Sequence, residues 1–148
     1  MQTIHVDLGE HAYDIEIAAG LLPQVGAKVA KLLPKARKAA IISDTNVAPL
    51  YADKLQKSLE DAGLAVCQII IEAGEQSKNM QVLSDVLEQL AASGMTRSDV
   101  VLTLGGGVVG DLGGFAAASF MRGVAFVQIP TSLLAQIDSS VGGKVAVD

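Results

Sequence analysis

The sequence has 148 residues, half of them hydrophobic and 18% charged, and its 11 basic and 16 acidic side chains give a net charge of -5. This length predicts one domain with its own core, and the acidic balance without a stripe of Lys and Arg argues against nucleic acid as a partner. The start, MQTIHVDLGE, lacks the features of a signal peptide, and no stretch reaches the about 18 apolar residues that span a bilayer. We therefore expect a cytoplasmic protein that makes no contact with a membrane.

Strand and helix patterns alternate along the chain. Thr3–Val6 and Tyr13–Ile17 flank the turn-rich LGEHA, which predicts an antiparallel hairpin. The short apolar runs KAAIIS, AVCQIII, VVLTL and AFVQI predict buried strands. Between them, helical stripes are formed by Val47, Tyr51, Leu55 and Leu59, and by Val82, Val86 and Leu90 with Leu83 and Leu87 beside them. These β-α-β units predict an α/β fold with a doubly wound, mainly parallel, Rossmann-like sheet after the hairpin.

Cysteine and histidine give no metal site. The single Cys67 lies inside the apolar run AVCQIII, which predicts a buried core thiol. His5 and His11 belong to the predicted hairpin and are not spaced like a metal-binding pair, so we interpret them as solvated or structural.

The stretch Val100–Phe115, VVLTLGGGVVGDLGGF, is either a cradle for a dinucleotide phosphate or only a tight strand-to-helix turn. Gly105, Gly107 and Gly110 satisfy the G-x-G-x-x-G fingerprint between a strand and a helical segment, where free N–H groups face a phosphate. The fingerprint normally has an acidic residue at the end of the next strand, about 20 positions on, to bind the ribose. That strand ends here in QIPT and offers no carboxylate.

Asp44, directly after the strand KAAIIS, is the best-placed substitute, because strand ends at the carboxyl edge of such a sheet face one crevice. The position of Asp44 also fits a helix N-cap, and both interpretations stay open. Asp111 is either part of the site or a first-turn acid favoured by the helix dipole.

Three further polar clusters stand at strand ends: AGEQSK, PTS and IDSSVGGK. Each can place hydroxyls, carboxylates or an ammonium group over the crevice. Each also has a structural interpretation, with Ser77 and Thr131 as helix caps and Gly142-Gly143 as a helix stop.

Taken together, SDTNV, GEQSK, GGGVVGDLGGFAAASFMRGV and IPTSLLAQIDSSVGGKVAV resemble the 3-dehydroquinate synthase family in order and spacing. The resemblance runs through the whole chain and implies an NAD-dependent and metal-dependent enzyme of the shikimate pathway. Such an enzyme converts the seven-carbon sugar acid phosphate DAHP into 3-dehydroquinate and inorganic phosphate, with zinc or cobalt as the metal, and a homodimer is expected.

The resemblance also implies residue roles. Asp138 corresponds to a residue that reaches the substrate hydroxyls, and Lys144 to one that reaches the substrate carboxylate and the cofactor. Ser132 stands where many relatives have Thr, and Asp148, where the motif commonly has Asn, is left unassigned. The residues that the resemblance assigns to NAD binding are Asp44, Asn46, Glu75, Lys78, Gly106, Gly107, Val108, Val109, Gly110, Asp111, Thr131, Ser132 and Lys144.

In the family, a helical second domain carries the one Glu and two His that hold zinc, and this sequence does not match it. We therefore expect residues 1–148 to form the NAD-binding N-terminal domain, inactive alone. The alternatives are a related sugar-phosphate cyclase, a glycerol-dehydrogenase-like enzyme and a stand-alone NAD-binding module. The motif IDSSVGGK favours the synthase over the dehydrogenases.

Overall fold

The fold was analysed in a computed structural model, which describes residues 2–7, 12–17 and 20–131. Within these ranges, no helix is both long enough and apolar enough to cross a membrane. Short 3-10 turns at Leu22–Gln24, Glu75–Ser77 and Phe120–Arg122 accompany the regular elements. The strands are β1 Gln2–Val6, β2 Tyr13–Ile17, β3 Lys38–Asp44, β4 Ala65–Ile71, β5 Val100–Gly105 and β6 Ala125–Pro130, and the helices are α1 Val25–Leu32, α2 Ala48–Asp61, α3 Met80–Ala92 and α4 Gly107–Ser119.

The strands form two sheets. β1 and β2 pair antiparallel, which confirms the predicted hairpin. The other four strands are all parallel, in the order β4-β3-β5-β6. Because β4 and β5 lie on opposite sides of β3, the direction of winding reverses between β3 and β5. Such a switch point opens a crevice beyond the carboxyl ends of the two strands.

Apolar layers cover both faces of the parallel sheet, which confirms the doubly wound α/β fold. Alternate residues of β3 point to opposite faces: Ala39 and Ile41 meet the buried side chains of α1 and α2, whereas Ala40 and Ile42 meet those of α3 and α4. The buried residues of β5 divide in the same way. A strand covered on both faces is apolar throughout, as the runs in the sequence are.

Asp99 holds together the amino ends of the neighbouring strands β3 and β5. Its side chain accepts four hydrogen bonds, from the backbone N–H groups of Arg37, Lys38 and Thr96 and from the Thr96 hydroxyl, at 2.8–3.1 Å. Burial raises the pKa of Asp99, but these hydrogen bonds together outweigh burial and hold the pKa below its ordinary value. The carboxylate thus joins the segment before β3 to the turn before β5.

Two side chains are more exposed than predicted. Tyr51, assigned to the buried stripe of α2, is 42% exposed, whereas Ala52, Leu55 and Leu59 are buried. Cys67 is half-buried and packs at the margin of the core on the α3 and α4 side, because β4 is the edge strand of the sheet. The stripe of α3 is confirmed, with Leu83, Val86 and Leu90 buried.

Candidate functional site

The first turn of α4 faces the crevice at the end of β5. Gly106 is the N-cap residue and has no side chain to cap the helix. The Gly110 N–H group makes the first intrahelical bond, to the Gly106 carbonyl at 3.0 Å, so the N–H groups of residues 107–109 have no acceptor within the helix. These groups and the positive end of the helix dipole form a potential anion site.

Gly113 brings α4 close to the sheet. A Cβ atom at Gly113 would lie 2.2 Å from Thr103 Cγ2 on β5, whereas one at Gly110 would meet only Gln128 Oε1, at 3.5 Å. The close helix–strand contact of a dinucleotide fingerprint is therefore made by Gly113, a residue that the spacing of Gly105, Gly107 and Gly110 did not identify.

Asp44 stands at the carboxyl end of β3, across the switch point from Gly105. Its Oδ1 atom accepts hydrogen bonds from the N–H groups of Asn46, at 2.9 Å, and Val47, at 2.8 Å, and so closes the turn that leads into α2. The Oδ2 atom accepts no hydrogen bond from residues in the described ranges. Oδ1 is therefore structural, whereas the described part of the chain leaves Oδ2 without a donor.

The loop between β4 and α3 differs from the sequence prediction in its helix cap. Asn79, not Ser77, is the N-cap of α3, and its side chain accepts a hydrogen bond from the Val82 N–H group at 2.9 Å. Ser77 is only 4% exposed, and its hydroxyl donates to the Glu72 carbonyl inside the loop. The prediction of Ser77 as the cap is wrong because a 3-10 turn precedes the helix.

An ion pair connects this loop to α4. Lys78 Nζ lies 3.2 Å from Asp111 Oδ2 and 3.8 Å from Glu75 Oε1. The side chains of Lys78 and Asp111 are 16% and 18% exposed, whereas Glu75 is 69% exposed. Asp111 lies beyond the first turn of α4, so its interpretation as a first-turn acid is wrong. Sequence separation gave no signal that Lys78 would be its partner.

The remaining predicted site residues lie beside the glycine loop or outside the described ranges. Thr131 continues the β5–β6 ladder, and its N–H group donates to the Gly105 carbonyl at 2.9 Å. Ser132, Asp138 and Lys144 belong to the segment that the structure does not describe.

Within the described part of the chain, no three His, Cys, Asp or Glu side chains are grouped to hold a metal ion. His5 is exposed in the hairpin and bonds Asp14 at 2.6 Å, as the structural interpretation expects. His11 lies outside the described residues.

The switch-point crevice, the uncapped helix after a glycine-rich turn and the close contact at Gly113 define a doubly wound α/β domain of the nucleotide-binding type. The family model described as 3-dehydroquinate synthase N-terminal matches residues 68–148. The chain belongs to the 3-dehydroquinate synthase family.

Comparisons with individual proteins agree. A 3-dehydroquinate synthase from Clostridium acetobutylicum is 51% identical over 148 residues, which are 100% of this chain and 41% of that protein. This chain therefore spans about two fifths of the length of that relative. A 2-epi-5-epi-valiolone synthase from Streptomyces hygroscopicus, solved with NAD+ and Zn2+ bound, is 31% identical with a TM-score of 0.80, over 97% of this chain and 39% of that one.

A third comparison concerns the fold alone. A 2-deoxy-scyllo-inosose synthase, solved with carbaglucose-6-phosphate, NAD+ and Co2+, has a TM-score of 0.90 at 23% identity, over 99% of this chain and 40% of that one. The architecture is therefore shared well beyond the range of close sequence similarity.

Proposed function

We propose that this chain binds NAD in the crevice between β3 and β5 and supplies the nucleotide-binding part of a 3-dehydroquinate synthase. The observation that carries the proposal is the start of α4 at the switch point, where a cap without a side chain leaves N–H groups for a pyrophosphate. The NAD+ in the solved relative that is 31% identical supports it.

The charges around the crevice fit a dinucleotide. The Asp111 carboxylate, close to the start of α4, would repel a pyrophosphate if it were unpaired. Lys78 Nζ lies 3.2 Å from that carboxylate and offsets its charge, so the start of α4 stays favourable to an anion. Burial of most of both side chains limits the screening of this pair by salt.

We assign each residue around the crevice a proposed role in NAD binding. Asp44, through Oδ2, and Asn46 bind the adenosine half, while Glu75 and Lys78 close over the nucleotide. Ser132 extends the contact surface next to Thr131, and Lys144 reaches both NAD and substrate. The pyrophosphate loop comprises Gly106, Gly107, Val108, Val109, Gly110 and Asp111.

The substrate proposed for the whole protein is DAHP. Bound NAD would supply reversible oxidation of the C5 alcohol, since a β-elimination of phosphate is feasible next to a carbonyl and not next to an alcohol. Asp138 would orient the substrate hydroxyls, and Lys144 would bind the substrate carboxylate.

The relatives are more than twice as long as this chain. We propose that their additional length contains the helical domain and the ligands of a zinc or cobalt ion, so that this chain alone binds NAD without converting DAHP. We further propose that the whole protein is a cytoplasmic homodimer.

Calorimetry on the 148-residue chain tests NAD binding. Asp44→Asn keeps the Oδ1 acceptor that closes the turn but removes the charge offered through Oδ2. We expect this substitution to weaken NAD binding by about 1–2 kcal/mol, which raises the dissociation constant about 5- to 30-fold. Asp61→Asn, at the far end of α2, is the matched control and should leave the affinity unchanged. A folded wild-type chain that shows no heat of binding with NAD would refute the proposal.

A related sugar-phosphate cyclase is the second candidate, because the solved relative at 31% identity is a 2-epi-5-epi-valiolone synthase. The identity of 51% to a 3-dehydroquinate synthase favours DAHP. NAD binding does not separate the two, but identification of the carbocyclic product from a full-length protein does.

A further inference from the structure

Thr45 connects the two loops that flank the crevice on the β3 and β4 side. Its N–H group donates to the Ile71 carbonyl at 3.0 Å and continues the parallel ladder one step beyond Asp44. Its hydroxyl then accepts a hydrogen bond from the Ala73 N–H group, also at 3.0 Å. At the point where β3 and β4 diverge, a side-chain oxygen thus takes the place of a backbone acceptor.

The loop that Thr45 holds carries Lys78. After Ala73, Gly74 adopts a φ of 118°, which only glycine accepts readily, and the 3-10 turn Glu75–Ser77 follows. Lys78 comes next and reaches Asp111 on α4. The contacts therefore run from the turn after β3, through the loop after β4, to the first part of α4.

The Thr45 hydroxyl bond is exposed, as Thr45 itself is. A neutral, solvent-exposed hydrogen bond contributes little to global stability because water replaces it on opening. Its loss would instead free the Ala73 end of the loop, a local opening that leaves the core intact. The bond is thus placed to control the position of the loop and not the stability of the fold.

On the basis of the proposed function, we infer that Thr45 is a positioning residue for dinucleotide binding, which acts through Lys78. The turn that contains Thr45 also contains Asp44 and Asn46, so the hydroxyl links the adenosine side of the proposed site to the start of the loop that carries the lysine. Loss of the hydroxyl leaves Asp44 in place and loosens the Ala73 end of the loop that carries Lys78.

Two substitutions at Thr45 distinguish an effect on the position of the Lys78 loop from an effect on folding. Thr45→Val keeps the shape and β-branching but removes the acceptor, and Thr45→Ser restores it. We expect Thr45→Val to raise the NAD dissociation constant about 3- to 10-fold in calorimetry, and Thr45→Ser to stay within about twofold of wild type. Thr96→Val is the matched control. It removes a hydroxyl that donates to Asp99 at the amino ends of the strands, far from the crevice.

Coupling to Lys78 is tested by a double-mutant cycle with Lys78→Met. Adding Thr45→Val to Lys78→Met should change the dissociation constant by less than about twofold, because the side chain that Thr45 positions is already gone. Hydrogen exchange gives a second readout without NAD: the Ala73 amide should exchange faster in Thr45→Val and at the wild-type rate in Thr45→Ser.

The outcomes separate the two proposals. A folded wild-type chain without NAD affinity overturns the proposed function. Wild-type binding with an unchanged dissociation constant in Thr45→Val, or fully multiplicative effects with Lys78→Met, overturns the role of Thr45 alone. An unchanged exchange rate of the Ala73 amide in Thr45→Val does so as well.

Discussion

Gly113→Ala tests whether close packing against β5 seats α4, whose start forms the proposed anion site. A new Cβ would lie 2.2 Å from Thr103 Cγ2 and 3.5 Å from Ile42 Cδ1. Ordinary carbon contacts are about 3.5–4.0 Å, so α4 must move outward by about 1 Å or Thr103 must leave its place. Thr103 is only 2% exposed, so its side chain lies in the closely packed interior.

The expected magnitude follows from comparison with Gly110→Ala in the same helix. Both substitutions gain about 1 kcal/mol of helix propensity, which cancels between them. Gly110→Ala meets only an ordinary contact at 3.5 Å and should be neutral or stabilising. The difference in the free energy of unfolding between the two variants is therefore the overpacking cost, about 1–3 kcal/mol.

Urea denaturation of both variants measures this difference. Thr103→Ser removes the Cγ2 atom that the new methyl group would meet, so it should recover part of the stability lost in Gly113→Ala. Equal stability of the two glycine variants, or no recovery by Thr103→Ser, would show that α4 is not seated by this contact. NAD affinity, measured on the same proteins, should fall in Gly113→Ala as the helix start shifts.

Three further predictions concern stability. Folding lowers the pKa of Asp99, so the stability that the carboxylate contributes is present above its unfolded pKa of about 4 and is lost as pH falls below that value. Asp99→Asn should therefore lower the free energy of unfolding by about 1–3 kcal/mol at pH 7. In denaturation scans, the variant should lose less stability than wild type between pH 4 and 2. Asn79→Ala should cost about 1 kcal/mol in thermal unfolding and Asn79→Ser much less, and equal losses would contradict the cap. Gly26→Ala places a Cβ 1.9 Å from the Ser58 carbonyl oxygen and should cost about 3 kcal/mol or more, so unfolding at the wild-type midpoint would rule out this helix contact.

The four parallel strands could be predicted from sequence because each is a short, mostly apolar run between turns. AVCQIII matches β4 residue for residue, and the β3 and β5 runs end one residue early. The stripe of α2 was placed partly wrongly, with Tyr51 on the buried side. Each step of four residues rotates the side chain by about 40° around the helix axis, so a stripe with a constant spacing of four gradually leaves the buried face. Ala52, Leu55 and Leu59 stay on the buried face.

The contacts of the candidate site were less predictable. Ser77 and Asn79 are both good cap residues two positions apart, and only the 3-10 turn decides between them. The pairing of Lys78 with Asp111 depends on the path of a loop through Gly74, which no local pattern encodes. The same holds for Gly113, whose role depends on the distance to Thr103 on another element.

Asp44 shows why a structural and a ligand-binding interpretation of one residue need not compete. A carboxylate has two oxygens with about four acceptor sites, and the turn before α2 occupies only Oδ1. The two backbone N–H groups hold the carboxylate in one orientation, which lowers the entropic cost of presenting Oδ2 to a ligand. Substitution by alanine removes both roles together, so a loss of NAD affinity in that variant cannot be assigned to either. Asn keeps the acceptor for the turn and replaces Oδ2 with an uncharged N–H donor, so that substitution separates the ligand-binding role from the structural one.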